Sequence, residues 1–380
     1  MRAPSTDTGA RAVRMGRVRD RMEQLGVGVL LLGHGADLPW LTGYRAMPLE
    51  RLTLLVLPVT GEPVLVVPGL EAPRVAAADG LFELRPWSDA EDPIDLVVDL
   101  IHRADVSRLA LSDRAWATTA LALQRRLPGS DWIEASRITS PLRAVKDDDE
   151  IAALRAAGAA ADRVAAVLQS GGIPLVGRTE AEVSARIGAL LVAEGHSSVN
   201  FAIVGSGPNA ASPHHEPAER VIGRDETVVC DFGGTLSLDG GPGYCSDITR
   251  TVMTGDPSAE VADCYAVLLE AQRSAVSAAS AGVTASSVDQ VARDIIDAAG
   301  YGDLFVHRTG HGIGLEEHED PYLVVGNDDI LVPGHAFSVE PGIYLPGRFG
   351  MRLEDIVVIG VSGAPESLNN ADHGLVVVED

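Results

Sequence analysis

Two stretches of this chain can be laid over one another without a gap: Gly177 to His196 (GRTEAEVSARIGALLVAEGH) on Gly282 to Tyr301 (GVTASSVDQVARDIIDAAGY). Gly177/Gly282, Thr179/Thr284, Val183/Val288, Ala193/Ala298 and Gly195/Gly300 coincide. Each copy opens on a glycine and a capping threonine, runs through an amphipathic helix and stops on a glycine. In the first copy Thr179 and Glu182 add the spacing of a capping box. Such a repeat points to a pseudo-symmetric domain of two similar halves, with its site at their junction.

Ahead of the repeat the pattern differs. Met15 to Leu25 reads as a helix and Val27 to Leu32 as a buried strand. Leu52 to Pro58 and Pro63 to Pro68 read as two strands joined at Thr60-Gly61-Glu62, and Ile94 to His102 as another helix. This alternation predicts a small α/β domain over residues 1–143. A chain of 380 residues has room for a second domain, placed at 147–380. Lys146-Asp147-Asp148-Asp149-Glu150 marks its start, the acids capping a helix with an apolar face of Ile151, Leu154, Ala157, Ala161, Val164 and Leu168. The fold class expected is α+β.

A net charge of −24 without any Lys/Arg block argues against a nucleic-acid partner. Cys230, Cys245 and Cys264 show no CxxC pattern, which predicts a reducing, cytoplasmic setting and a packed thiol at Cys245. Met1 to Asp20 lacks the apolar segment of a signal peptide. The longest apolar runs, such as Gly26 to Leu32, are strand-sized, so no membrane span is expected.

Four carboxylates and one imidazole stand out in the second half: Asp231 before Phe232-Gly233-Gly234, Asp247 before Ile248-Thr249, His311 between Gly310 and Gly312, Glu340 before Pro341-Gly342, and Glu354 after Arg352-Leu353. Gathered together, the acids would repel one another and take up protons. Two divalent cations cancel that charge, so the set makes sense as a dinuclear site for Mn, Co, Zn or Fe, and the chain as a hydrolase. Thr227 to Phe232 reads as a buried strand ending in a Gly-Gly turn, and Asp247 to Val252 as its hairpin partner. Ser237 to Gly243 closes the hairpin, with the two aspartates facing each other. Ala336 to Glu340 and Met351 to Val358 read as two further strands. Strand period puts Arg352 and Glu354 on one face and Leu353 and Asp355 on the other, so Asp355 is expected to be structural. His307, His311 and His318 cluster about a Gly-rich turn, and His214-His215 precede Asp231.

With these motifs in this order, the stretch from Asp147 onward, about 60% of the chain, resembles the catalytic domain of the M24 "pita-bread" metallopeptidases. It is most similar to the Xaa-Pro branch, comprising Xaa-Pro dipeptidase (prolidase) and Xaa-Pro aminopeptidase. Residues 1–143 resemble that branch's creatinase-like N-terminal domain. The intervals of 64 residues from Asp247 to His311, 29 to Glu340 and 14 to Glu354 are similar to those of compact bacterial and archaeal prolidases. The resemblance implies two divalent metal ions (Mn, Co or Zn) on Asp231, Asp247, His311, Glu340 and Glu354, with Asp247 and Glu354 bridging. It implies Glu340 as the proton carrier and His214 and His318 as groups that bind substrate and steady the transition state. His307, Tyr344 and Arg352 would complete the substrate pocket, Arg352 also anchoring the ligand acids.

The implied substrates are short proline-containing peptides, cleaved by an Xaa-Pro dipeptidase or, alternatively, an Xaa-Pro aminopeptidase; the ligands are common to both. Methionine aminopeptidases share the cage but usually lack such an N-domain, and a creatinase-type amidinohydrolase or a binding module would have lost it. The family also implies a homodimer in which one N-domain roofs the partner's cleft. On that basis Trp40, Tyr44 and Arg45 are candidates for setting peptide length, the plainer reading of Asp37 to Arg45 being a packed strand–turn. One departure from the compact prolidases is the interval of 16 between Asp231 and Asp247, whose excess falls in Ser237 to Gly243.

Overall fold

The computed structural model describes residues 8–75, 80–104, 106–238 and 241–378. The chain divides into two compact units, Met1–Arg143 with Leu238–Pro242, and Ala144–Ser237 with Gly243–Asp380. Residues 239 and 240 of the long loop and the first seven residues lie outside the described set.

The first unit contains α1 (Thr8–Leu25), β1 (Val29–Leu32), α2 (Asp37–Thr42), β2 (Leu54–Pro58), β3 (Val64–Pro68), β4 (Glu83–Trp87), α3 (Pro93–Ala104), β5 (Arg108–Leu111), α4 (Ala117–Arg126), β6 (Asp131–Glu134) and α5 (Ser136–Ala144). Its six strands form one sheet in the order β4-β3-β2-β1-β5-β6. β1, β5 and β6 run parallel, while β2 is antiparallel to both its neighbours. Val29–Leu32 and Leu54–Leu57 are buried on both faces, which explains their unbroken apolar runs. The stretch Asp37 to Thr42 is a helix, not the strand–turn of the plainer reading: Asp37 occupies its first turn and Gly43 ends it in the left-handed conformation at φ 74°. Trp40 and Tyr44 are buried within this unit, and Arg45 is exposed.

The second unit contains α6 (Asp148–Gln169), α7 (Glu180–Ala193), β7 (His196–Ser206), β8 (Thr227–Leu236), β9 (Tyr244–Cys245), β10 (Ile248–Met253), α8 (Ala259–Ala278), α9 (Ala285–Ala298), β11 (Gly310–Gly312), β12 (Glu319–Leu323), β13 (Ala336–Val339), β14 (Gly342–Leu345), β15 (Phe349–Arg352), β16 (Asp355–Ile359), β17 (Pro365–Ser367) and β18 (Val376–Val377). One sheet runs β18-β10-β8-β7 with β9 added to β8, a second runs β12-β11-β13-β16-β17, and β14 pairs with β15. Val164, Leu168, Val183 and Ile187 of α6 and α7 pack on Cys230, Phe232, Ile248 and Val252 of the first sheet. Leu268, Val288, Ala292 and Ile296 of α8 and α9 pack on Phe337, Val339 and Val357 of the second. Each half is thus a helix pair burying its apolar stripe on a sheet.

The repeat is written into the backbone hydrogen bonds. Gly177 N–H donates to Ile222 O and Gly282 N–H to Leu331 O; Glu180 donates to Arg220 O and Ala285 to Asp329 O. The four glycines that bracket the copies, Gly177, Gly195, Gly282 and Gly300, all have positive φ, between 78° and 104°. Thr179 and Glu182 complete a capping box, whereas Thr284 caps alone because Ser287 stands at the reciprocal position.

Two strand expectations are corrected. Gly233-Gly234 is no turn: β8 continues through both residues to Leu236. A β-carbon on Gly233 would overlap the Ser246 carbonyl oxygen, so glycine is there to let the neighbouring chain approach. Met351 to Val358 is also not one strand, since β15 and β16 belong to different sheets and Leu353-Glu354 is the junction. Glu354 forms an isolated bridge with Thr249, which ties the first sheet to the second. No helix among the described residues is long and apolar enough to cross a membrane.

Candidate active site

Antiparallel pairing of β8 and β10 sets Asp231 opposite Thr249 and Phe232 opposite Ile248. Asp247 precedes β10 and therefore lies diagonally from Asp231, not directly across from it. From the second sheet, β11 presents His311 between Gly310 and Gly312. A β-carbon on Gly310 would overlap the Ser338 carbonyl oxygen, and one on Gly312 the Asp320 carbonyl oxygen. The two glycines let β13 and β12 close on the histidine from both sides. Glu340 follows β13, and Glu354 sits at the β15–β16 junction.

The His311 Nδ1–H donates to Gly312 O at 3.1 Å, because a carbonyl can only accept. That leaves the Nε2 lone pair facing the acids, 3.3 Å from Glu340 Oε1 and 3.8 Å from Asp247 Oδ2. Ligand atoms of Asp247, His311 and Glu354 all lie within 4.8 Å of one another. Arg352 Nε donates to Thr249 Oγ1 at 3.1 Å, and that hydroxyl donates to Glu354 Oε2 at 2.7 Å. Asp355 points elsewhere, to Arg250 at 2.8 Å, Gln272 at 3.1 Å and His373 at 2.5 Å, a structural role.

These groups open onto a cavity of about 520 Å³, lined by Asp231, Asp247, His311, Glu340, Glu354, Arg352, His214, His307 and His318. Tyr344 stands behind the wall: it is buried, and its hydroxyl accepts from Arg352 Nη1 at 2.8 Å and donates to His307 Nε2 at 2.8 Å. His307 Nδ1–H donates to Arg308 O at 2.7 Å, so both nitrogens of that ring are engaged by protein. Sequence reasoning missed Arg308, Glu317, Phe201, Ile203 and Pro213 on the cavity wall. Arg308 and Glu317 adjoin chosen histidines and could have been read from that adjacency. Phe201 and Ile203 lie on β7, whose pairing with β8 puts Ile203 level with Asp231, and nothing local signals it.

Electrostatics follow from burial and crowding. Burial raises Asp247 and Glu354 well above the usual carboxylate range, and the neighbouring acids add to it. Burial likewise pushes Glu340 up to about 7, with Arg352 opposing and Asp231 reinforcing. Burial lowers His311 and His307 to about 3, so both rings are neutral. Asp231 Oδ1 and Asp247 Oδ1 are buried without a protein hydrogen-bond partner. Crowded acids, two partnerless oxygens and a neutral imidazole with its lone pair turned inward fit divalent cations as the missing partners.

Residues 151–360 match the model of metallopeptidase family M24, and residues 14–145 that of the creatinase/prolidase N-terminal domain. The chain belongs to metallopeptidase family M24 and is a peptidase of that family. Among its relatives, the probable dipeptidase PepE of Mycobacterium tuberculosis is 49% identical over 93% of this chain and 92% of that protein. The crystal structure of dipeptidase PepE from Mycobacterium ulcerans superposes with a TM-score of 0.91 at 46% identity, covering 98% of this chain and 99% of the other. The recombinant prolidase from Thermococcus sibiricus gives a TM-score of 0.89 at 36% identity over 97% and 99%.

Proposed function

We propose that this peptidase cleaves the Xaa-Pro bond of dipeptides, with two divalent metal ions held by Asp231, Asp247, His311, Glu340 and Glu354. The observation that carries the reading is the gathering of four carboxylates and one imidazole on a single cavity wall, the imidazole Nε2 turned toward Asp247 and Glu340 and two of the carboxylate oxygens lacking protein donors. When bound, such ions supply a water-derived nucleophile at neutral pH and polarise the scissile carbonyl.

The chain's own groups do the remaining work. An Xaa-Pro bond is a tertiary amide, so its leaving nitrogen needs a proton; Glu340 takes one from the attacking water and passes it on. Arg308 Nη2 lies 3.5 Å from His318 Nδ1, which leaves the His318 Nε2–H as a donor toward the developing oxyanion. His214 supplies a second imidazole on the cavity wall. His307 acts through its ring surface, since Tyr344 and the Arg308 carbonyl hold both its nitrogens. Arg352 keeps Asp231 in place.

Relatives called dipeptidase and prolidase support the dipeptide reading. The test is turnover by the metal-loaded enzyme of Ala-Pro, Ala-Pro-Ala and Ala-Ala. The expected order places Ala-Pro first; faster cleavage of Ala-Pro-Ala would make the protein an aminopeptidase, and equal rates on Ala-Ala would remove proline selectivity.

A further inference from the structure

Among the described residues, two carboxylates outside the cage have 0% exposure and are unused by the chemistry above: Glu180 and Asp289. One lies on α7 and the other on α9, the two helices of the repeat. They are not at matching positions, since Glu180 aligns with Ala285 and Asp289 with Ser184. Each half has found its own buried acid.

Burying an ionised carboxylate is costly unless donors satisfy it. Here the donors come from segments that carry the cavity histidines. Glu180 Oε1 accepts from Ser206 N–H at 2.8 Å and from Ser206 Oγ–H at 2.7 Å. Asn209 Nδ2 reaches both carboxylate oxygens, at 3.2 and 3.1 Å, and His215 Nε2 lies 2.7 Å from Oε2. Burial raises the Glu180 carboxyl, but the bonds from Ser206, His215 and Asn209 outweigh it and hold it below its ordinary value. The bonded stretch runs from the end of β7 to the residue beside His214. Asp289 Oδ1 accepts from Thr309 N–H at 2.9 Å, and its two oxygens grip Arg293 at 2.6 and 3.1 Å. Arg293 in turn donates to the His307 carbonyl. Thr309 lies between His307 and His311.

We propose that Glu180 and Asp289 are positioning residues for the peptidase reaction, one in each half, Glu180 setting His214 through His215 and Asp289 setting the His307–His311 segment through Thr309 and Arg293. The proposal rests on the reading of His214 as a group that contacts substrate. His214 is exposed, and among the described residues its ring makes no hydrogen bond to protein, so its neighbour's anchor fixes where it stands.

The experiment is a double-mutant cycle on Ala-Pro hydrolysis with Glu180→Gln, His214→Ala and the combination, bound metal being measured in each. His214→Ala is expected to lower kcat/KM about 100-fold, and Glu180→Gln about 10-fold or more, since small misplacements of a reacting group are expensive. In the His214→Ala background Glu180→Gln should cost less than about 2-fold, because its effect passes through a ring no longer there. An undiminished loss in that background overturns the inference, as does a wild-type kcat/KM for Glu180→Gln. A wild-type kcat/KM for His214→Ala would instead sink the reading of His214. Should Glu180→Gln fail to fold, His215→Phe enters the same cycle with the Ser206 and Asn209 bonds intact. Asp289→Asn, whose segment also holds His311, should weaken metal binding about 10-fold; unchanged metal affinity would remove its half of the proposal.

Discussion

Arg352 Nη2 lies 2.5 Å from Asp231 Oδ2, a buried cation gripping an acid 121 residues earlier in the chain. The same guanidinium reaches Thr249, and through it Glu354, and also holds the Tyr344 hydroxyl. One planar fork therefore sets two of the cage carboxylates and the phenol behind His307. Lysine carries the charge without the fork. Arg352→Lys is expected to lower metal affinity or kcat/KM about 10- to 100-fold, read by calorimetric metal titration and Ala-Pro kinetics. Arg352→Met, which leaves buried acids unpaired, should lose about 3–5 kcal/mol of stability in metal-free protein. Wild-type metal affinity and turnover in Arg352→Lys would show that charge alone suffices.

Removing the proposed metal ligands should separate folding from activity. His311→Ala and Glu340→Gln are expected to leave folded proteins with at most trace turnover. Chelator should abolish wild-type activity, with Mn or Co restoring it. Circular dichroism checks the fold and elemental analysis the bound metal; activity that survives full metal depletion would contradict the site assignment.

The glycines beside His311 are packing requirements. Gly310→Ala places a methyl group into the Ser338 carbonyl, so β11 must shift from β13 and carry His311 with it. The expected result is a loss of more than about 2 kcal/mol and weakened metal binding. A variant with wild-type melting temperature and metal content would mean that β13 yields without cost.

Acid sensitivity has a defined source away from the cage. Arg220 grips Glu226 at 2.5 and 2.9 Å, and this bond outweighs burial to hold the Glu226 carboxyl below its ordinary value of 4.5. A depressed folded-state pKa contributes stability that is present above the unfolded value and lost as pH falls through the folded one. Glu226→Gln should therefore melt about 2–4 °C lower near pH 7, a shift typical of roughly 1 kcal/mol in a unit the size of the second one. That gap should narrow as pH falls below 4.5. Thermal melts across pH 3–7 check it, and a gap that does not narrow between pH 7 and pH 3 would rule out this carboxylate as the cause.

Much of the architecture was readable because it is local. The paired Gly–Thr–helix–Gly units announce the two halves, and the buried apolar runs at Val29–Leu32 and Thr227–Phe232 announce central strands. Acids and histidines set among glycines draw the eye to the cluster for a physical reason, since only glycine lets a neighbouring backbone come as close as it does at Gly310 and Gly312. What escaped was fixed at a distance. Gly233-Gly234 looks like a turn until the Ser246 carbonyl is seen pressing on it. Arg352-Leu353-Glu354-Asp355 reads as one strand until its two ends join different sheets. Ile203 became part of the cavity only through its register with Asp231. Asp37 to Thr42 escaped for a local reason instead, since a glycine such as Gly43 can end a helix as readily as a strand.

The bridge between Thr249 and Glu354 spans 105 residues, and the cage straddles it, with Asp231 and Asp247 from one half and His311, Glu340 and Glu354 from the other. The chain must therefore be made through Glu354 before the two sets of groups can meet. A chain that stops before Glu354 holds at most an incomplete set, so the second half cannot be trimmed back past this bridge without opening the cluster.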